Sequence, residues 1–130
     1  MKARKGAPAA KSTIEPQPRL RILFGGTTAM GPGKADLLEA IRDTGSISAA
    51  GRAMRMSYRR AWVLVDEMNA AFIRPLVASK AGGSQGGGAA LTRLGGEVLE
   101  RYRAMEEAAR SGTQRQFQDI ARLLAPRPPR

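Results

Sequence analysis

The sequence predicts a mainly α domain carrying one small β-hairpin, and three observations lead there. Apolar residues make up 42% of the chain but aromatics only 5%, a balance of Ala, Leu, Ile and Met that suits helix packing better than an all-β sandwich. Apolar residues recur at three- and four-residue steps in successive segments, several of them preceded by a residue able to cap a helix. A glycine-rich stretch, Ser79 to Gly88, lies between two short apolar runs, which is the pattern of a hairpin. The 130 residues suit one ordinary domain with tails, since domains usually run to about 100 to 150 residues.

Residues 1–18 mix Lys, Arg, Ala and Gly with Pro8, Pro16 and Pro18. So little apolar surface cannot offset the entropy of ordering, and a flexible basic arm is expected. The folded domain is then expected over residues 19–110. Leu20, Ile22 and Phe24 alternate with Arg21 and Leu23 ahead of Gly25-Gly26, which predicts a short half-buried strand ended by a turn. Gly31-Pro32-Gly33-Lys34 opens a first helix with Leu37, Leu38 and Ile41 on one face, Pro32 near its first position and Gly45 as its C-terminal cap.

Ser46 can cap a short second helix with Ile47, Ala50 and Met54 as its apolar stripe. Ser57 offers another cap, and Ala61, Val65, Met68 and Phe72 then mark the buried face of a third helix that Pro75 ends. Leu76 to Ala78 and Ala89 to Leu91 predict the two strands of the hairpin. Thr92 can cap a fourth helix with Leu94, Val98, Tyr102 and Met105 on one face. Gly112 interrupts the pattern before Phe117, Ile120 and Leu124 repeat it in a C-terminal helix over residues 111–125, followed by a disordered tail at 126–130. Helices followed by a hairpin and a further helix amount to a winged helix-turn-helix with a C-terminal helix. Phe117, Ile120 and Leu124 lie beyond the completed domain, so they are expected to form a dimer seam or to pack back on it.

Charge narrows the function. Lys and Arg number 22 against 11 Asp and Glu, for a net charge of +11, and such an excess favours polyanionic partners. Residues 1–21 alone hold six Lys or Arg against Glu15. Cysteine and histidine are both absent, which removes disulfides, thiolate metal sites, and the commonest metal ligand and general base. No cofactor, metal or enzymatic activity is therefore expected. No stretch approaches the roughly 18 to 20 apolar residues of a membrane span, and no apolar signal segment follows the basic start, so a cytoplasmic protein with no membrane partner is expected.

Other motifs yield blander readings. A phosphate-binding G-x-x-x-x-G-K-[ST] loop would need Gly at Thr28 and Ser or Thr at Ala35. Gly82-Gly83 and Gly86-Gly87-Gly88 precede a strand and not a helix, so a flexible turn is the better account. Asp66-Glu67 and Glu106-Glu107 point in different directions on a helix and form no catalytic pair. Duplex bases are not available for stacking, so Trp62 is expected to pack against the first helix or the N-terminal strand.

The functional constellation lies between Asp43 and Asp66, where Arg52, Arg55, Arg59 and Arg60 stand with no acidic residue. Two short helices joined tightly, with Ser57-Tyr58-Arg59-Arg60 opening the second, form the arrangement that sends a helix N-terminus into the major groove of double-stranded DNA. Arginine can donate two parallel hydrogen bonds to guanine, serine hydroxyls can hold phosphates, and a tyrosine hydroxyl can reach backbone or base.

These stretches resemble the winged-helix domain of ModE-type, molybdenum-responsive regulators, which is itself related to the LysR-type DNA-binding domain. The resemblance runs from about Leu20 to Tyr102. It is carried by Gly45-Ser46-Ile47-Ser48-Ala49-Ala50, Met56-Ser57-Tyr58-Arg59-Arg60-Ala61-Trp62, Asp66-Glu67-Met68-Asn69, Gly86-Gly87-Gly88-Ala89 and Leu91-Thr92. It implies a homodimeric transcription regulator reading a pseudo-palindromic operator, with the third helix as recognition helix and the hairpin as wing. Ser46, Ser48, Ser57, Tyr58, Arg59 and Arg60 inherit DNA-facing roles, with Arg52 and Arg55 beside them and Lys80, Ser84 and Gln85 on the wing. The oxyanion-sensing modules of the full-length family have no room after Thr113, so an oxyanion ligand is not expected. Two further readings use the same residues: an architectural, nucleoid-associated protein that grips DNA by its backbone, and a protein-interaction adaptor on the same scaffold.

Overall fold

The computed structural model describes residues 15–80 and 88–126. The expected flexible arm (except residues 15–18), Ser84 and Gln85 at the wing tip, and the tail from residue 127 lie outside the described residues. The described residues divide into two units, one formed by Arg19–Glu106 and the other by residues 15–18 with the chain from Glu107 onward.

In the first unit the chain runs through β1 (Ile22–Phe24), β2 (Thr27–Met30), α1 (Pro32–Thr44), α2 (Ile47–Ala53), α3 (Tyr58–Ala71), β3 (Val77–Lys80), β4 (Gly88–Leu91) and into α4 (Arg93–Gly112). This is the mainly helical, winged-helix-like architecture that the sequence predicts. β1 pairs antiparallel with β2, and β3 with β4, as separate two-stranded sheets.

β2 departs from the expectation of a single short strand ended by a turn at Gly25-Gly26. Both glycines have positive φ, 59° and 89°, the combination that closes a tight two-residue hairpin. The turn therefore sends the chain straight back along β1. Met30, at the end of β2, is fully buried. Phe24 is a second correction: it is 71% exposed. The pairing shifts register between Ile22 and Leu23, and such an irregularity breaks the two-residue alternation that would have turned Phe24 inward.

The core joins Met30, Leu37, Leu38, Ile41, Val65, Met68, Leu76 and Tyr102, all essentially buried. Each large side chain withdrawn from water stabilises the fold by about 1.5 to 3 kcal/mol. α1 ends as expected, with Gly45 at φ 80° donating its N–H to the Ile41 carbonyl. α3 ends at Ala71, ahead of Pro75, with Phe72 already extended. The Asn69 side chain then bridges to the next element. Its Oδ1 accepts from the N–H of Leu76 (2.8 Å) and of Val77 (3.1 Å), while its Nδ2 donates to the Val77 carbonyl (3.2 Å).

Thr92 caps α4 by accepting from the Gly95 N–H at 2.9 Å and donating to the Pro75 carbonyl at 2.8 Å. The buried face of α4 is Gly95, Leu99 and Tyr102, whereas Met105 is 43% exposed. Leu94 and Val98 remain half-buried against the core as expected, but at about 100° per residue the centre of the face is turned away from Met105 and towards Gly95 and Leu99. Gly95 explains the rotation: a Cβ there would penetrate the Leu76 carbonyl, so the side lacking a side chain is the one that lies on the Leu76 backbone.

The Tyr102 hydroxyl donates to the Leu20 carbonyl at 2.6 Å. Burial, and then the Glu106 carboxylate, push its phenol above the ordinary value. Arg103 ties α4 to α1, reaching Asp36 at 2.8 Å and Glu39 at 2.7 Å, with Glu106 at 3.0 Å on its own helix.

In the second unit, Thr113 breaks the helical run and α5 follows over Gln114–Ala121. Arg110 pairs with Glu107 at 2.8 Å and Glu15 at 3.3 Å. α5 has no buried residue, and Ile120, Leu123 and Leu124 are exposed.

Candidate nucleic-acid interface

α2, the turn after it and α3 present the sequence-predicted residues, and two serines set their geometry. Ser46 Oγ accepts from the Ala49 N–H at 2.8 Å, and Ser57 Oγ accepts from the Arg60 N–H at 3.0 Å. Each cap satisfies one of the amides that a helix start leaves without an internal partner. Each hydroxyl keeps its own proton for an outside acceptor. Ser48 Oγ accepts from Arg52 Nη1 at 3.0 Å, which lays the Arg52 guanidinium along α2.

Arg55 occupies the turn between α2 and α3 at φ 60°, the one positive-φ residue other than glycine among the described residues. A side chain in that conformation costs about 1 to 2 kcal/mol. Arg55→Gly is therefore expected to raise stability by about 0.5 to 1 kcal/mol once glycine's larger unfolded-state entropy is deducted. Urea denaturation measures the gain, and an unchanged or lower midpoint would contradict it. Gly51 lets the two helices cross closely, since a Cβ there would meet the Ala61 Cβ at 3.2 Å.

Tyr58, Arg59 and Arg60 are all exposed in the first turn of α3, but they point to different sides. With Ala61, Val65 and Met68 inward, a spacing of about 100° per residue puts Arg59, Val63 and Asp66 on the outward face. Tyr58 and Trp62 share one flank, and Arg60, Leu64 and Glu67 share the other. Charge alone groups Arg59 with Arg60 and gives no DNA-facing role to Val63 or Asp66. The same periodicity that marked the buried stripe would have located both opposite it. Val63 is 39% exposed, and it could touch a thymine methyl while Asp66 could accept from cytosine N4.

On the Tyr58 flank, a cleft of about 230 Å³ is lined by Ser46, Ser48, Tyr58, Trp62, Ser79 and Gly88. It thus brings the start of α2, α3 and the wing strands together. Trp62 is half-buried and packs as expected, but beside the start of α2 and the wing strands and not the N-terminal strand, which lies on the other flank of α3; it meets Tyr58 edge-on with ring centroids 6.2 Å apart. Its Nε1 is buried and lacks a hydrogen-bond partner among the described residues.

The wing is held to the helix-turn-helix by main chain: the Ala89 N–H donates to the Gly45 carbonyl at 2.9 Å. A Cβ on Gly88 would come within 3.1 Å of that same oxygen. Lys80 stands exposed at the end of β3, paired with Gly88. Among the described residues there is no group of three metal-ligating side chains, and no helix is long and apolar enough to cross a membrane.

The chain is homologous over more than half its length to proteins named for molybdenum. It is 44% identical over 79 residues to the molybdenum transport protein ModE of Azotobacter vinelandii, covering 61% of this chain and 29% of that protein. It is 46% identical over 77 residues to the molybdenum-pterin-binding protein MopB of Rhodobacter capsulatus, covering 59% and 28%. It is 39% identical over 71 residues to the DNA-binding transcriptional dual regulator ModE of Escherichia coli K12, covering 55% and 27%. The chain thus spans less than a third of the length of these relatives. No protein-family model matches it.

Proposed function

We propose that this chain, homologous across its winged-helix region to ModE-named proteins, is a sequence-specific DNA-binding regulator of genes concerned with molybdate. It carries out no reaction of its own and works in the cytoplasm. α3 enters the major groove, and the wing reaches the flanking backbone. Two copies place their recognition helices about 34 to 36 Å apart on a pseudo-palindromic site. Ile120 and Leu124, exposed on and beside α5, supply apolar surface that a second copy would cover.

The observation that carries this reading is the outward face of α3. Arg59 stands there exposed on a serine-capped helix, free of any ion pair among the described residues. The homologue named as a DNA-binding transcriptional dual regulator supports the same assignment.

The test compares two variants on a duplex enriched by in vitro selection and on random-sequence duplex. Arg59→Ala is expected to cost about 1 to 3 kcal/mol on the selected duplex and to relax selectivity there, because a base contact is lost. Lys80→Ala is expected to weaken both duplexes alike, because a phosphate contact carries no sequence information. Equal losses on the two duplexes for Arg59→Ala would instead favour the architectural, backbone-binding reading.

A further inference from the structure

The flank of α3 away from the wing holds a second cavity, of about 520 Å³, whose lining includes Arg21, Thr28, Lys34, Arg60 and Glu67. Lys34 is buried and already paired, with Glu67 Oε1 at 3.1 Å and the Thr28 carbonyl at 2.6 Å. Its charge is thereby answered within the protein. Arg21 and Arg60 are not so compensated. Arg21 donates to Thr28 Oγ1 at 3.3 Å, and neither guanidinium meets a carboxylate among the described residues. Two exposed arginines from separate elements, β1's approach and α3, therefore line one open cavity whose carboxylate, Glu67, is already paired with Lys34.

A helix lying in the major groove has a phosphate backbone on each side, one from each strand. With α3 in the groove, as the function above has it, the Tyr58 flank with the wing would face one of these backbones and the Arg60 flank the other. We propose that Arg21 and Arg60 together hold a DNA backbone phosphate on the flank of α3 opposite the wing. This assigns Arg60 to the backbone and leaves base reading to the Arg59 face. It also brings the β1–β2 hairpin, through Arg21 at its start, into contact with DNA. The inference rests on the DNA-binding reading above. Its ligand is the phosphodiester itself, so it predicts no sequence preference at this contact.

Binding of the full chain and of Arg21→Ala, Arg60→Ala and Arg21→Lys is measured across a salt series on selected and random duplexes. Each phosphate neutralised contributes about 0.9 to the slope of log affinity against log salt. Arg21→Ala and Arg60→Ala are each expected to flatten that slope and to weaken both duplexes by the same factor, about three- to tenfold. Arg21→Lys, which keeps the charge, is expected to restore most of the slope. A selected duplex scanned with single neutral methylphosphonates is expected to show one position that weakens the unaltered chain more than it weakens Arg21→Ala or Arg60→Ala, each of which keeps one of the two arginines.

If Arg21→Ala folds as the parent does, by its thermal melt, yet keeps the full salt slope, the phosphate clamp is overturned while DNA binding stands. Loss of selectivity without a slope change in Arg60→Ala would overturn it too, returning Arg60 to base reading. No binding of either duplex by the unaltered chain would overturn both the clamp and the function it rests on.

Discussion

Gly95→Ala is expected to destabilise the fold by about 3 kcal/mol, at the upper end of what an extra methyl costs in a well-packed site. The added carbon would lie within the Leu76 carbonyl, so relief requires a backbone to move and no rotamer change can supply it. Thr92 stiffens the same junction from both sides through its bonds to Pro75 and Gly95. Urea denaturation would show a lower midpoint at an unchanged slope, which is the signature of lost stability without a change in exposed surface. A midpoint within error of the parent would mean that α4 does not lie on the Leu76 backbone.

A loss of similar size, about 2 to 4 kcal/mol, is expected for Asn69→Leu, because an apolar side chain of similar size removes all three of Asn69's bonds to Leu76 and Val77. Each buried polar group left unpaired costs about 1 to 3 kcal/mol, and partial access to water keeps the total below the simple sum. Since Leu76 and Val77 lead into the wing, the effect should reach function as well. Hydrogen exchange of the Leu76 and Val77 amides should accelerate first, and DNA affinity should fall further than the unfolded fraction explains. Unchanged protection of those two amides in Asn69→Leu would show that the side chain does not hold the strand.

Much of this architecture is legible in the chain because local rules and burial agree there. Ser46, Ser57 and Thr92 each stand where a helix starts, Gly45 where one ends, and the stripe Ala61, Val65, Met68 marks α3 by period alone. The departures occur where a contact distant in sequence decides. The face of α4 turns on what Gly95 meets at Leu76, nineteen positions back and invisible to a helical wheel. Thr27–Met30 has too few apolar residues to read as a strand, and it becomes one because two left-handed glycines return it to β1. The site divides in the same way. The charge gap from Asp43 to Asp66 falls on α2 and α3, and the separation of Arg59 from Arg60 follows from the same helical period that marks the buried stripe of α3. The place of Arg21 depends on a hairpin that the sequence pattern did not disclose.

The bond from the Ala89 amide to the Gly45 carbonyl joins the base of the wing directly to the residue that precedes α2, the first helix of the helix-turn-helix. On the DNA-binding reading, such a bracket works as a gauge of fixed span. One inserted base pair moves the outer contact by about 3.4 Å along the axis and turns it by roughly a tenth of a revolution. A bracket of this kind resists stretching to follow, so on that reading the spacing within each half-site is expected to be constrained along with its letters.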